Sequence, residues 1–210
     1  MKWYHLWILS LVGPVLPAVT LGGEGPSKIR VVKGTITIGG KPTSEAVVSV
    51  EGLSREDLKS QISSLKLKPA VMDQQDLKFL PHVLPVVAGT AVEFANNDKT
   101  FHNVFSSSEA KKFDLGLYSP GRRRSVTFDK SGVVRILCHV HPDMEAYIVV
   151  KEHSNFAVTD KRGNYQLSGV PLGKYRVEVW HPELGSKAVP FNLVRDGEVL
   201  AIDVDLKKQR

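Results

Sequence analysis

From Ile29 onward the chain is a succession of short runs in which β-branched and aromatic residues alternate with polar ones, interrupted by Gly, Pro or Asp. A period of two with no helical crossovers between runs specifies antiparallel strands joined by tight turns. Thr35–Ile38, Gly39-Gly40 and Ala46–Glu51 read as a hairpin. Extended runs follow at Val83–Val87, Thr90–Phe94, Asn103–Phe105, Ser125–Phe128, Val133–Cys138 and Ala146–Lys151. A second set comprises Phe156–Thr159, Tyr165–Leu167, Lys174–Trp180 and Val199–Leu206, with Leu200, Ile202, Val204 and Leu206 on one face of the last. Only Ser54–Leu65 departs, where Leu58, Ile62 and Leu65 recur at helical spacing behind a Ser54–Asp57 capping pattern. The expected fold class is all-β: a Greek-key antiparallel β-sandwich followed by a smaller β-sandwich, with one short helix in an N-terminal insert.

Length and composition narrow the setting. A chain of 210 residues, 42% hydrophobic and 24% charged, is neither disordered nor polytopic in a membrane. Lys2 precedes an uncharged stretch, Trp3–Gly23, whose apolar part Leu6–Val12 runs into Gly13, Pro14, Pro17 and small residues, the order of a secretory signal peptide. An uncleaved anchor is the competing reading, opposed by the two prolines and the short apolar core. The expectation is export to the periplasm, with no membrane span after cleavage. A net charge of +6 suits an anionic partner, but aromatics are only 8% and the basic residues are scattered, which disfavours nucleic acid. The expected units are a signal peptide over 1–23, a first sandwich with its N-terminal extension over 28–151, and a second sandwich over 152–208.

Cys138 is the sole cysteine. That excludes an intramolecular disulfide, a zinc site with two thiolates, a C-x-x-C motif and an all-thiolate iron–sulfur cluster. A lone thiol in an oxidising compartment needs a reason to persist. The reason offered by its neighbours is a metal: Cys138-His139-Val140-His141-Pro142-Asp143-Met144 follows a β-run, and Phe101-His102-Asn103-Val104 lies upstream. Two imidazoles, a thiolate and a thioether are the donors of a blue-copper electron-transfer site. The thiolate makes a covalent bond that delocalises the electron, the imidazoles complete a plane acceptable to both copper oxidation states, and a weak axial sulfur tunes the potential.

The loop Cys138 to Met144, running into Ala146-Tyr-Ile-Val-Val, resembles the short ligand loop of amicyanin-type cupredoxins, and Gly89 to Asp98 with Phe101–Val104 is similar to that family's first-histidine segment. The likeness covers about Met72 to Lys151. It implies one type 1 copper ion held by His102, Cys138 and His141, with Met144 axial. It also implies that Asn103 ties the His102 strand to the cysteine loop and that Pro142 leaves the thiolate with one donor fewer. His139 and Val140 depart from the family pattern. On a strand, His139 faces away from the metal, as an exposed or core-satisfied histidine or, alternatively, an electron exit or second-metal ligand. Ile29–Leu67 supplies either the sandwich's first strands or a cover for the metal loop. Phe156 to Tyr175 resembles the carboxypeptidase-regulatory-like, transthyretin-like β-sandwich, a module of structure or interaction.

The expected function is one-electron transport between a donor enzyme and a cytochrome or other oxidoreductase, without catalysis. Copper delivery, storage or sensing in the envelope is the second reading, and a structural module with a vestigial site the third. Arg122-Arg123-Arg124 reads as a solvated turn or as a docking patch for an acidic redox partner. His82, His153 and His181 follow no ligand spacing and are expected to be surface or structural residues. Cysteine-protease, multi-copper and Rieske readings fail for want of a suitably placed base, further paired histidines and a second cysteine.

Overall fold

The computed structural model describes residues 29–64 and 66–207, so the expected signal segment lies outside the described residues. In chain order the elements are β1 (Val31–Ile38), β2 (Lys41–Pro42), β3 (Val47–Glu51), α1 (Arg55–Ser64), β4 (Ala70–Gln75), β5 (Lys78–Leu80), β6 (Val83–Val87), β7 (Thr90–Asn96) and β8 (His102–Ser108). They continue as β9 (Lys111–Tyr118), β10 (Arg123–Phe128), β11 (Gly132–Leu137), β12 (Glu145–Lys151), β13 (Phe156–Val158), β14 (Asn164–Ser168), β15 (Gly173–His181), β16 (Gly185–Leu193), β17 (Val199–Ala201) and β18 (Val204–Leu206). The helix begins with a reciprocal cap: the Asp57 amide donates to Ser54 Oγ at 3.1 Å, and the Ser54 amide to Asp57 Oδ2 at 3.2 Å.

Strands β4 to β12 make one sandwich from two sheets, ordered β10-β7-β4-β5 and β6-β12-β11-β8-β9. Alternation along β7 and β11 turns Val92, Phe94, Val134 and Ile136 into a core shared with Met72, Phe128 and Ile148. The antiparallel expectation needs refinement here, because β4 pairs with β7 and β6 with β12 in parallel. Parallel neighbours require long crossovers, which a reading of local hairpins does not reveal.

The expected boundary after Lys151 is also displaced. β1 pairs with β14, β17, β18 and the short β2, while β3 lies between β13 and β15 in another sheet, so Thr35–Ile38 and Ala46–Glu51 do not form the expected hairpin: Gly39-Gly40 turns the chain onto Lys41–Pro42 instead. Val32, Ile36, Val48 and Val50 therefore share a core with Leu167, Val177, Val179, Leu193 and Val204. The segment expected to extend the first sandwich instead supplies central strands to the second, and β4–β12 are inserted between them. At Gly34, an added Cβ would lie 2.0 Å from the Ile202 carbonyl oxygen, so β1 tolerates only glycine beside the break between β17 and β18.

A smaller apolar cluster joins the two cores: Val47 and Trp180 from one side meet Val83 and Val149 from the other. Tyr147 and Trp180 pack with ring centroids 5.3 Å apart. This seam explains why β3 is buried on both faces. Lys151 crosses the same seam, 2.9 Å from Glu51 and 2.6 Å from Glu178. Burial works against its ammonium, but the hydrogen bonds to Glu178 and Glu51 outweigh that and raise its pKa.

Candidate metal centre

The donors converge at one end of the β8–β11–β12 sheet. Period two along β8 turns His102 and Val104 into the core while Asn103 and Phe105 take the opposite face. Cys138 follows β11 in phase with Val134 and Ile136 and is 4% exposed. The chain then turns: Pro142 presets the second position, and the Met144 amide donates to the His141 carbonyl at 2.9 Å. Pro142 thus has a visible role as the turn former that brings Met144 back into the core, where it is 1% exposed alongside Cys138.

His102, Cys138 and His141 place their donor atoms within 4.8 Å of one another. The two Nδ1 atoms are 3.0 Å apart, and Cys138 Sγ lies 3.9 Å from His141 Nδ1. Nitrogen and sulfur donors bound to one first-row ion at about 2.0 and 2.3 Å stand about 3 to 4 Å apart, the range in which the His102–His141 and Cys138–His141 pairs lie. Protonation favours the same conclusion. The His102 ring is fully buried and donates Nε2–H to Asp98 Oδ2 at 2.9 Å, leaving its Nδ1 lone pair aimed at another imidazole nitrogen. A cation between them satisfies both.

Asp98 is a residue that sequence reasoning missed, although its place four residues before His102 was a usable signal. It accepts hydrogen bonds from the Leu77 amide at 2.8 Å and the Lys99 amide at 2.7 Å as well as from His102. The Leu77 amide above all, with Lys99 and His102 and against the effect of burial, holds its carboxyl down at about 2. Leu77 delivers that amide from a left-handed conformation, φ 56°, unusual for a residue with a branched side chain. A carboxylate on the outer nitrogen of a ligand imidazole fixes its tautomer and orientation. Asp98→Ala is accordingly expected to weaken copper binding by about 10- to 100-fold in a chelator competition while leaving the far-ultraviolet circular dichroism unchanged.

On the opposite face, the His139 amide donates to Asn103 Oδ1 at 3.4 Å, and Asn103 Nδ2 donates to Asp114 Oδ1 at 2.6 Å. Asn103 therefore links the His102 strand to the loop after Cys138. His139 points away from the cluster, stacked on Phe105 with centroids 3.7 Å apart and Nε2 3.5 Å from Asp114. His153 and His181 are buried in other parts of the fold, and His82 contacts Glu45 across the seam at 2.9 Å.

Residues 67–151 match the family model for copper binding proteins of the plastocyanin/azurin family. Among solved structures, the copper-containing nitrite reductase NirK from Thermus scotoductus SA-01 is 28% identical over 41% of this chain, with a TM-score of 0.39. This chain spans only 23% of that one. A purple cupredoxin from Nitrosopumilus maritimus is 23% identical, over 39% of this chain and 99% of its own, with a TM-score of 0.36. Amicyanin from Paracoccus versutus is 20% identical, over 42% of this chain and 87% of its own, with a TM-score of 0.37. No curated protein matches the chain. Residues 67–151, which fold into the sandwich of β4–β12, are thus similar to the copper binding proteins of the plastocyanin/azurin family.

Proposed function

We propose that the protein is an exported, periplasmic one-electron carrier that holds one type 1 copper ion through His102, Cys138 and His141, with Met144 as the axial ligand. The observation that carries this reading is the convergence of two imidazole nitrogens and the only thiol within 4.8 Å. Copper supplies the one-electron couple between Cu(II) and Cu(I). The chain's own residues would hold the donors in place whichever state the ion is in. His102 is immobilised by Asp98, Cys138 by its place at a strand end, and His141 by the Pro142 turn. A site that does not rearrange exchanges electrons quickly. Burial of His102 and Cys138 excludes water, while half-buried His141 leaves an edge for electron passage.

The signal-like sequence over 1–23 supports export, and no described helix is long and apolar enough to cross a membrane. Addition of Cu(II) to the purified protein is expected to give an intense visible thiolate-to-copper band, a type 1 paramagnetic resonance spectrum and a reversible one-electron voltammetric wave. A copper-loaded, oxidised protein without that band would sink the reading. Rapid transfer of the metal to an apo-acceptor, with no reversible wave, would favour copper delivery.

A further inference from the structure

Beside the His102 strand the fold spends effort on keeping apolar side chains outside. Strand β9 carries one extra residue opposite β8: Asn103 pairs with Leu117, but Phe105 pairs with Asp114. Gly116, at φ 64°, absorbs the irregularity, and its amide donates to Asp114 Oδ1 at 2.7 Å. Phe113 and Leu115 pack against the core, and unbroken alternation would send Leu117 the same way. The bulge instead leaves Leu117 54% exposed and turns Tyr118 inward. Phe101, immediately before His102, is 53% exposed. Tyr118 is the register partner of His102 itself.

Phe101, Leu117 and Tyr118 line a groove of about 350 Å³ together with Ser119, Arg122, Arg123 and Arg124. No acidic residue lines it. Arg123 pairs with Glu93 at 2.7 Å, and Arg124 lies over the Tyr118 ring at 5.2 Å. The Arg122 side chain meets no carboxylate among the described residues. Exposed aromatic and aliphatic residues set among arginines have the composition of a protein interface, and the planar guanidinium matches a carboxylate through paired hydrogen bonds.

We propose that this groove is the docking site for an acidic protein partner that exchanges electrons with the copper centre through Phe101 and His102, with Tyr118 as the neighbouring contact. The proposal rests on the electron-carrier reading. In the exchange one electron moves between the partner's redox group and copper, one being oxidised as the other is reduced, and no bond is made or broken. A bilayer fits less well. Anionic lipid recognition uses clusters of about four to eight basic residues on an open face, whereas three arginines here line a concavity.

The test uses the full chain with two probes: a fluorescent decaglutamate peptide and a decaserine control, each also made with a tethered ruthenium polypyridyl photo-oxidant. Metal-free protein is expected to bind the glutamate probe in a salt-sensitive manner, with amide shifts in nuclear magnetic resonance centred on Phe101, Leu117 and Arg122. In Arg122→Glu/Arg123→Glu, binding by the metal-free form and the flash-photolysis rate of the Cu(I)-loaded form with the glutamate probe are expected to fall at least about 10-fold, while the rate with the serine probe stays within about twofold. Arg122→Lys/Arg123→Lys, which keeps the charge, is expected to retain glutamate-probe binding and so to exclude misfolding as the cause. Unchanged binding and rate in the charge-reversed variant would overturn the proposal. So would arginine-dependent binding to phosphatidylglycerol vesicles without binding to the glutamate probe. If the wild type binds the glutamate peptide but exchanges electrons with neither ruthenium probe, the carrier reading fails and takes the exchange step with it.

Discussion

Cys138→Ser is expected to abolish the visible thiolate-to-copper band and to weaken Cu(II) binding by more than about 100-fold, since losing an outer-shell partner of a metal ligand already costs about 10- to 100-fold. The serine hydroxyl stays protonated near neutral pH, so the site loses the one donor that is both anionic and soft. His102 and His141 remain and can hold copper weakly, giving a nearly colourless complex. The fold should survive, because the side chains are close in size and Cys138 sits at the end of β11 rather than within it. The buried hydroxyl costs about 1–3 kcal/mol of stability, read as a lowered thermal midpoint of the metal-free protein. Absorption, paramagnetic resonance and a chelator titration on the same sample separate these effects. A variant that keeps the intense band would show that Cys138 is not a ligand.

What could be read from the sequence divides along the range of the interactions. The strands of the sandwich cores were legible because Val92, Phe94, Val134 and Ile136 sit at period two, and local burial dictates that pattern. The convergence of His102, Cys138 and His141 was legible because Cys138 and His141 share one short turn and His102 sits in a matching context. Strand β4 escaped notice because Gln74 occupies a core position. It is fully buried, donates to the Ala95 carbonyl at 2.9 Å and contacts the Tyr118 hydroxyl at 2.6 Å, so a polar residue stands where alternation demands an apolar one. Strand β9 was obscured by Gly116 and the charges around it, the same features that produce its bulge. Asp98 escaped because its role depends on amides from Leu77 and Lys99, and hydrogen bonds to backbone leave no pattern in residue types. The domain boundary escaped for the largest reason: the partners of β1 are about 130 to 170 residues away, at β14, β17 and β18, and nothing local to Val31–Ile38 announces them.

That long-range pairing makes two truncations behave oppositely. A chain ending at Lys151 retains β4–β12 but strands β1 and β3, exposing Val32, Ile36, Val48 and Val50, each fully buried in the intact protein. Fully burying one such side chain contributes about 1.5–3 kcal/mol, so the fragment carries two strongly apolar strands without their sheet partners and is expected to aggregate. The excised segment 67–151, which drops β1–β3 and α1, keeps its entire core and both sheets and is expected to stay monomeric, to unfold cooperatively and to bind copper. Its thermal midpoint should fall below that of the copper unit in the full chain, because Val83 and Val149 lose their cover from Val47 and Trp180. Size-exclusion chromatography, thermal denaturation and a copper titration of the two fragments check this directly. The reverse outcome, a well-behaved chain ending at Lys151 beside an unfolded 67–151, would mean that β1 and β3 stabilise the β4–β12 sandwich itself rather than the second one.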